Sequence, residues 1–318
     1  MIRGKLVTVI GGGGFLGRYV AQALLRDGAR LRVAQRDPRQ AWFLKSLGQL
    51  GGTQTVAADV TRPETLARAV HGSDAVVNLV GVLAGDFRRV HVDGARHVAE
   101  AAAREGAEAL VHLSAIGADP ASPSAYGRTK GEGEAAVLDA FPSATILRPS
   151  VVFGREDQFI NRFAGLIAKL PVVPILSPST RFQPVFVGDV ADAVAAALDR
   201  PDAHGGRTYE LGGPDVLTMA ELNRYIARET GRSPTFVEVP DGIGALVAGL
   251  GFLPGAPITA DQWAMLRRDN VASDGAAGLS AFGVTPTAMS AITPSYLVQY
   301  RRAGRFGRRA GVARDVAQ

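Results

Sequence analysis

The stretch LVTVIGGGGFLGR, residues 6–18, decides the fold of this chain. Its first five residues are mostly apolar and predict a strand, and apolar positions then recur at helical spacing from Phe15 to Leu25. Glycines at 11, 14 and 17 lie between the two segments. A strand, a glycine-rich turn and a helix in this order are typical of the first unit of a dinucleotide-binding domain.

Each of these three glycines has a predicted physical role. Gly11 permits the sharp turn out of the strand, Gly14 lets the backbone approach a pyrophosphate, and Gly17 lets the helix pack closely on the sheet. The phosphates would lie at the positive end of the helix, beside Phe15 and Leu16. Flexible connectors are also rich in glycine, but the placement of these three glycines between a strand and a helix favours nucleotide binding.

The composition is that of a globular protein with ample core. Of 318 residues, 47% are hydrophobic and 20% are charged, which suits one large domain or a nucleotide domain with a smaller one appended. The chain has no cysteine, which excludes disulfides, thiolate metal sites and cysteine nucleophiles. Its five histidines lack the spacing of a metal motif, so we expect no metal site.

The net charge of +5 is concentrated at the carboxyl end of the chain. Residues 301–318 hold six arginines and one acid, so the remainder of the chain sums to zero. This pattern argues against a nucleic-acid surface and predicts one local contact, with an acidic partner or an anionic lipid, through the arginines of 301–314. A disordered solubilising tail is the alternative.

Strand-like and helix-like segments alternate through the first half of the chain, which predicts an α/β fold of the Rossmann type with a doubly wound parallel sheet. We expect a nucleotide-binding domain over 1–150, a smaller substrate or partner domain with interleaved elements over 151–300, and a basic tail over 301–318. The predicted strands are Lys5–Ile10, Arg30–Gln35, Thr53–Ala57, Ala75–Val80, Ala109–Ser114 and Thr145–Leu147. The predicted helices are Phe15–Arg26, Pro63–Val70, Arg89–Glu105 and Ser124–Ala140.

No segment has the sequence pattern of a membrane-spanning helix or of a targeting signal. The uncharged stretch 242–260 carries five glycines and two prolines, which would break a membrane helix. The first strand begins by residue 5, with no signal peptide or amphipathic presequence before it. We therefore expect a bacterial cytoplasmic protein, in peripheral contact with the inner membrane through its tail.

The tip of the second strand predicts which dinucleotide is bound. Domains that prefer NAD usually place a carboxylate there, whereas this chain places Gln35 and Arg36. Arg36 suits a ribose 2′-phosphate, and Arg18 could assist from the start of the first helix. We therefore expect NADP(H), with NAD(H) as second choice, although arginine is so common in this chain that a chance arginine is the competing interpretation.

Two further strand ends contribute predicted cofactor contacts. Asp59, with Val60 beside it, could accept a hydrogen bond from the adenine amino group, or it could cap a helix near Thr61. Val80 and Gly81 follow the fourth strand, where small residues would let the cofactor lie close to the strand end.

The pair Tyr126 and Lys130 is the candidate acid–base machinery. Four residues apart, both side chains lie on one face of the helix that they begin. A lysine one turn away, with a ribose between the two side chains, would lower the pKa of the phenol, which makes Tyr126 a general acid/base for hydride chemistry at a carbonyl. Ser114, at the end of the fifth strand, could orient a substrate oxygen.

With these residues in register, the chain resembles the extended or atypical branch of the short-chain dehydrogenase/reductase superfamily. Further segments resemble one subgroup of it, the nucleotide-binding accessory subunit family of respiratory complex I, the NADH:ubiquinone oxidoreductase, and its bacterial relatives. The resemblance runs from Val7 to about Tyr300. The segments are residues 78–81 (NLVG), 114–119 (SAIGAD), 146–154 (ILRPSVVFG), 157–159 (DQF), 182–191 (FQPVFVGDVA), 209–214 (YELGGP) and 269–271 (DNV).

The resemblance implies a tightly bound NADP(H) whose role in complex I is structural, away from the electron-transfer path. It also implies respiratory-chain or quinone-pathway proteins as partners. Tyr126 and Lys130 would bind the nicotinamide ribose in a holder of cofactor as well as in a catalyst. The chain after Arg148 would pass beside the nicotinamide, with Pro149 and Val152 among the contacts; a salt-bridged Arg148 is the alternative.

Two functions from different classes follow. The first is an accessory or scaffold protein in which bound nucleotide stabilises the fold. The second is an active NADP-dependent reductase or epimerase on a quinone precursor or another hydrophobic carbonyl compound. A sensor of the NADP(H) ratio is a third interpretation.

Five large aromatic side chains outside the predicted site also have predicted places in the fold. Tyr209 and Trp263 are expected to pack in the second domain. Phe153, Phe159 and Phe163 either line an apolar substrate pocket or belong to a core.

Overall fold

The computed structural model describes residues 2–48, 51–249, 258–302 and 304–306. Its strands are, in chain order, β1 (Leu6–Ile10), β2 (Arg30–Gln35), β3 (Thr53–Ala57), β4 (Ala75–Asn78), β5 (Ala109–Leu113), β6 (Thr145–Pro149), β7 (Val152–Phe153), β8 (Val172–Leu176), β9 (Arg181–Phe182), β10 (Val185–Phe186), β11 (Thr208–Leu211), β12 (Leu217–Thr218) and β13 (Thr235–Val239). Its α-helices are α1 (Phe15–Arg26), α2 (Pro63–Val70), α3 (Gly94–Arg104), α4 (Ala125–Ala140), α5 (Phe159–Lys169), α6 (Val187–Asp199), α7 (Pro201–His204), α8 (Met219–Thr230), α9 (Asp241–Gly249), α10 (Ala260–Leu266) and α11 (Met289–Leu297). A π-helix covers Arg88–Asp93, and 3₁₀ segments cover Pro38–Ser46, Leu279–Phe282, Val298–Tyr300 and Gly304–Phe306.

By compactness the chain divides into two units, and each combines separate segments of sequence. Unit 1 consists of Met1–Pro149, Val187–Gly212 and Ala272–Thr285. Unit 2 consists of Ser150–Phe186, Gly213–Val271 and Pro286–Gln318. The division into domains over 1–150 and 151–300 with a tail from 301 stays a prediction.

Within the described residues, seven parallel strands form the sheet of unit 1, in the order β11-β6-β5-β4-β1-β2-β3. In β1, Val9 aligns with Val33 on one side and with Val77 on the other. The chain therefore moves outward in one direction from β1 to β3 and in the other from β4 to β6. Such a reversal opens a crevice at the carboxyl ends of the strands. The predicted Rossmann-type sheet is confirmed.

Helices cover both faces of this sheet, which explains why its central strands are apolar. Val7, Val9 and Ile10 of β1 are all buried, although neighbouring residues of a strand point to opposite faces. On one face, the small side chains Ala95 and Ala99 of α3 are buried in the same cluster as the strand residues, which lets the helix approach the sheet closely. Burial on both faces is the physical basis of the parallel arrangement.

The strand β11 corrects one expectation of the sequence analysis. Tyr209 does not pack in the second domain, because β11 pairs with β6 and extends the sheet of unit 1. Its ring lies 4.5 Å from the ring of Phe282, centroid to centroid, and its hydroxyl lies 3.0 Å from Nδ1 of His204. Sequence reasoning missed the strand because it is short and separated from β6 by more than fifty residues.

The predicted helix 89–105 begins differently in the structure. A π-helix covers Arg88–Asp93 and only then does α3 begin, at Gly94. Helix α4 crosses this turn at Gly133, where an added Cβ would overlap the backbone carbonyl oxygen of His91. The backbones therefore meet where a side chain has no room, and short π-helical turns often occur at functional sites.

Unit 2 is built on short strand pairs and helices. Strand β7 pairs with β10, β8 with β13 and β9 with β12. Phe153 is fully buried in its core, as the core interpretation predicts, whereas Phe159 and Phe163 are partly exposed and pack edge to face, 5.2 Å between centroids. Asn270 holds the start of the unit through hydrogen bonds from Ser150 Oγ (2.7 Å) and from the amide of Val151 (2.9 Å) to its Oδ1.

Two predictions concern membrane contact. Among the described residues, no helix has both the length and the apolar character needed to cross a bilayer. Most of the arginine tail, residues 307–318, lies outside the described residues, as do residues 250–257 of the uncharged stretch.

Candidate nucleotide-binding site

The glycine turn has the geometry that close approach of a pyrophosphate requires. Gly11 has a φ of +81°, which favours glycine, and its amide donates to the carbonyl oxygen of Ala34 at 2.7 Å. An added Cβ on Gly17 would overlap the backbone of Gly12. Gly14 precedes α1 without a side-chain cap, so the first amides of the helix are available to an anion.

Gln35 completes the wall of this turn, a role that sequence reasoning missed. Its side-chain amide donates to the carbonyl oxygen of Asp37 at 2.6 Å. A Cβ on Gly13 would overlap the Gln35 side chain. Gly13 thus leaves room for the Gln35 side chain against the turn, a contact that the glycine spacing alone does not reveal.

Arginines surround the tip of β2, but they differ in their partners. Arg39 forms a two-point pair with Asp37, at 2.9 and 3.1 Å, and so neutralises that carboxylate. The Arg18 guanidinium lies 4.8 Å from the centre of the Phe43 ring. Arg36 is exposed and makes no ion pair with any described residue.

Asp59 stabilises a turn rather than a helix end. Its Oδ1 accepts hydrogen bonds from the amide and the hydroxyl of Thr61, both at 2.9 Å, whereas α2 has Arg62 at its cap position. Burial alone would raise the pKa of this carboxyl, but the bonds from Thr61 and the positive charges of Arg36 and Arg62 lower it. The helix-capping alternative is therefore wrong in detail, and the adenine contact stays a prediction.

Asn78 and His112 form a buried pair at the ends of β4 and β5. Asn78 accepts a hydrogen bond from the amide of Val80 at 3.1 Å, and its side-chain nitrogen lies 3.1 Å from Nδ1 of His112. An amide nitrogen only donates, so Nδ1 of His112 accepts and Nε2 carries the proton. Burial lowers the pKa of His112, and Nε2 has no partner among the described residues.

His91 connects three elements around Tyr126. Its Nε2 accepts from the amide of Val82 at 3.0 Å, and Nδ1 lies 3.0 Å from Oγ1 of Thr129 on α4. Its ring stacks on Phe87 and meets the ring of Tyr126 edge-on, both at 5.4 Å between centroids. Burial lowers the pKa of His91 to about 4, so the imidazole is neutral. No motif spacing pointed to this residue.

Burial sets the protonation of Tyr126 and Lys130 in the protein alone. It raises the pKa of Tyr126 to about 12 and lowers the pKa of Lys130 to about 8, because burial disfavours both charged forms. The Lys130 ammonium donates to the carbonyl oxygen of Leu113 at 2.7 Å. The lowering of the phenol pKa that is expected with a ribose between the two side chains stays a prediction.

Ser114 lies where an orienting hydroxyl is expected. Its amide is fixed by the carbonyl oxygen of Leu147 at 2.7 Å, and the residue is buried. Its Oγ has no hydrogen-bond partner among the described residues. A buried hydroxyl of this kind needs a partner, so Ser114 and Nε2 of His112 are both suited to a bound polar group.

Arg148 has a structural role. It forms a two-point pair with Glu134 of α4, at 2.6 and 2.9 Å, and lies 3.5 Å from Glu210 of β11. The salt-bridge alternative of the sequence analysis is thus the geometry observed. Pro149 ends β6, and its carbonyl oxygen accepts from the amide of Ile116 at 3.0 Å, whereas Val152 belongs to unit 2.

The site residues of unit 1 gather at one edge of its sheet. Gly11, Arg36, Asp59, Gly81 and Ser114 each follow the carboxyl end of a strand. The glycine cradle, the uncapped helix and the two buried unpartnered polar atoms together fit a dinucleotide. Their individual roles stay predictions. Among the described residues, no cluster of three or more potential metal ligands occurs.

Comparison with known proteins shows the family of this chain. A model of the NAD dependent epimerase/dehydratase family matches residues 7–212. NADH dehydrogenase [ubiquinone] 1 alpha subcomplex subunit 9 of Arabidopsis thaliana is 33% identical over 320 residues, covering 95% of this chain and 80% of the relative. Ceramide reductase of Caulobacter vibrioides is 34% identical over 249 residues, covering 77% of this chain and 76% of the relative.

A solved structure shares the fold. The Escherichia coli NADPH-dependent quinone oxidoreductase complexed with NADPH superposes with a TM-score of 0.75 at 21% identity, over 92% of this chain and 99% of that one. The fold, the glycine cradle and the relatives agree on a binder of nicotinamide dinucleotides that is related to the complex I accessory subunit. This chain belongs to the NAD dependent epimerase/dehydratase family.

Proposed function

We propose that the protein holds NADP(H), in preference to NAD(H), as a structural cofactor in the manner of an accessory subunit. The observation that carries the preference is Arg36, an exposed guanidinium at the tip of β2 with no ion pair among the described residues. The neighbouring carboxylate of Asp37, which would repel a 2′-phosphate, is paired with Arg39. A free guanidinium next to a neutralised acid favours an additional phosphate.

Nucleotide selectivity tests the preference. We expect Arg36→Gln to weaken NADPH binding by about tenfold or more and to leave NADH binding nearly unchanged, because only NADPH carries the 2′-phosphate. Fluorescence titration of both nucleotides measures this. Arg68→Gln, an exposed arginine on α2, serves as the matched control. Equal losses for both nucleotides would contradict the assignment, as would co-purification of NAD(H).

A structural role is supported by the similarity to a subunit of a larger enzyme. Burial raises the pKa of Tyr126 to about 12, so the phenol keeps its proton and would not act as the base of an oxidation in the protein alone. The relative from Arabidopsis thaliana is by name a subunit of NADH dehydrogenase, which favours a respiratory-chain partner here. Isolation of native membrane complexes tests this, and absence of the protein from complex I fractions would count against it.

An active reductase or epimerase is the second candidate, and the buried unpartnered hydroxyl of Ser114 favours it. Bound NADPH would supply a hydride. Tyr126 would give its proton to the carbonyl oxygen, Ser114 would donate a hydrogen bond to that oxygen, and Lys130 would stabilise the phenolate left behind. A hydrophobic carbonyl compound or quinone precursor is the proposed substrate class, consistent with a relative that is named ceramide reductase.

Turnover separates the two candidates. We expect Tyr126→Phe to abolish any NADPH-dependent reduction of quinones or hydrophobic ketones while NADPH binding changes little. Stopped-flow absorbance of NADPH measures the rate, and fluorescence titration measures the binding. Unchanged turnover in the variant would remove Tyr126 from the chemistry, and no turnover in the native protein would favour the structural role.

The arginine tail is proposed as a peripheral contact with an anionic membrane, in a bacterial cytoplasm. Deletion of 307–318 removes three of its arginines. We expect the deletion to weaken binding to anionic vesicles and to leave binding to neutral vesicles unchanged. Cosedimentation measures both, and equal binding by the shortened chain would reject the tail as an anchor.

A further inference from the structure

A second cavity of unit 1 lies at the edge of the sheet opposite the glycine turn. It has a volume of about 540 Å³ and is lined by residues at the end of α7, the start of β11 and the 3₁₀ segment near 281. The amino end of β11 is here, whereas the glycine turn follows the carboxyl end of β1. Because all seven strands are parallel and about five residues long, the two edges are roughly 15 Å apart.

Two arginines face this cavity without acidic partners. Arg200 and Arg207 are both exposed, and neither makes an ion pair or a side-chain hydrogen bond with any described residue. Arg200 also lines an adjacent cavity, which contains the acids Glu108, Asp199 and Asp202, whereas the lining of the present cavity contains no acid. The positive charge at this cavity is therefore uncompensated within its own lining.

His204 adds a buried group that lacks a partner. It is 3% exposed and lines the same cavity, and its Nε2 has no hydrogen bond among the described residues. Its Nδ1 lies 3.0 Å from the hydroxyl of Tyr209. Nε2 is enclosed by protein and has almost no exposed surface, so His204 serves as a reporter of the charge at this cavity rather than as a ligand.

Hydrogen bonds fix the backbone at Arg207 and His204. Arg207 accepts from the amide of Ile146 at 2.9 Å, which continues the ladder between β11 and β6. The carbonyl oxygen of His204 accepts from Thr145 Oγ1 at 3.1 Å, and its ring packs 4.6 Å from that of Phe282. Both arginines act on His204 electrostatically: burial lowers the pKa of the imidazole and the two guanidinium charges lower it further.

We propose that this cavity is a binding site for the phosphate group of a small phosphomonoester, held by Arg200 and Arg207, with the His204 ring beside it as a local reporter. Guanidinium groups match the oxygens of a phosphate in pairs, and Thr208 at the rim adds a hydroxyl. The volume exceeds that of a phosphate alone, and the methyl groups of Ala277 and Ala281 leave room for a short carbon chain. This site does not depend on the proposed function, because it lies away from the nucleotide.

The test uses the full chain with ¹⁵N-labelled histidine and inorganic phosphate as the probe. We expect the side-chain signals of His204, assigned with His204→Gln, to shift saturably with phosphate but not with chloride at equal ionic strength. The local signal distinguishes this site from phosphate at the glycine turn. A glycerol 3-phosphate titration is expected to give the same shift at lower concentration.

Variants decide the outcome. Arg207→Gln and Arg200→Gln should each raise the Kd for phosphate by about tenfold, since each removes a charge-assisted contact. Arg68→Gln should leave it unchanged. The His204 signals without phosphate report whether a variant keeps the native fold, and Arg207→Lys provides a second, milder variant with an intermediate Kd. No saturable shift in the native protein, or a native Kd in both glutamine variants, would overturn the proposal.

Discussion

At the scale of single residues, burial controls the charges of the candidate site. His91, His112, Tyr126 and Lys130 all have pKa values displaced toward the neutral form, and desolvation is the largest cause in each. Burying these four groups therefore costs electrostatic free energy. Such a cost is expected where groups are kept for binding or chemistry rather than for stability.

The neutral His91 predicts acid sensitivity. Its pKa is about 4 in the folded protein, whereas an ordinary histidine has a pKa of 6.5, so the unfolded chain takes up the proton first as the pH falls. The contribution of the neutral His91 to the free energy of unfolding is complete above pH 6.5 and is lost as the pH falls through 4. We expect the free energy of unfolding of the native protein to fall by about 2 to 3 kcal/mol more than that of His91→Gln between about pH 7 and 4.5. Urea unfolding at both pH values measures this; parallel losses in the two proteins would contradict it.

The low pKa of Lys130 predicts a change of stability at alkaline pH. Its pKa is about 8 when folded, whereas an ordinary lysine has a pKa of 10.5, so between these values the folded protein has released a proton that the unfolded chain still holds. Stability from this group therefore rises from pH 8 to 10.5. We expect the free energy of unfolding of the native protein to rise by up to about 3 kcal/mol relative to that of Lys130→Met between these two pH values. Denaturant titrations at about pH 7.5 and 10 test this, and a constant difference would mean that Lys130 is not desolvated.

At the scale of elements, α4 owes its position to glycines rather than to helix propensity. At Gly133 an added Cβ would overlap the His91 carbonyl oxygen, and at Gly131 it would lie 2.6 Å from the ring of Pro120. These contacts let α4 lie against the π-helix, so that Thr129 reaches His91. Close packing of two helical segments explains why residues with poor helix propensity occur here.

Substitution of these glycines tests the packing. We expect Gly133→Ala to destabilise the protein by more than about 2 kcal/mol, because backbone atoms must move. Gly165→Ala in α5 is the matched control: its nearest neighbour, Tyr300, would lie 4.0 Å from the new Cβ. There we expect a gain of up to about 1 kcal/mol from helix propensity. Thermal unfolding measures both, and a neutral Gly133→Ala would show that α4 is not held at that contact.

At the scale of the whole molecule, unit 1 is completed by chain segments distant in sequence. Helix α6 buries Val187, Val190, Val194 and Leu198, and β11 covers the edge of β6. The first 149 residues therefore lack α6, α7, β11 and residues 272–285 of their own unit. An uncovered edge strand and an uncovered apolar face are both unfavourable in water.

A fragment comparison tests this dependence. We expect residues 1–150 expressed alone to show no cooperative thermal transition, whereas residues 1–212 regain one because they include α6 and β11. Circular dichroism against temperature measures the transitions. Cooperative melting of the shorter fragment would show that the first 150 residues fold without these segments.

Much of the sheet could be predicted from local pattern. The predicted strands at 30–35 and 53–57 have the bounds observed, and the predicted helices 15–26 and 63–70 are also confirmed. Each is a local segment whose apolar period is visible in sequence. The π-helix and β11 were missed, because they depend on contacts with Gly133 and with β6 that no local pattern encodes.

The sequence by itself determined the fold class, the glycine cradle and the order of the strand ends, because these follow from apolar period and from the steric freedom of glycine. Only the tertiary structure decided the charge state of Tyr126 and Lys130, the placement of His91 beside them and the ion pair of Arg148. Burial and partners set those properties, and both come from residues far apart in the chain. The glycine turn predicts where a cofactor binds, and the folded surroundings of Tyr126 set the protonation of the side chains near it.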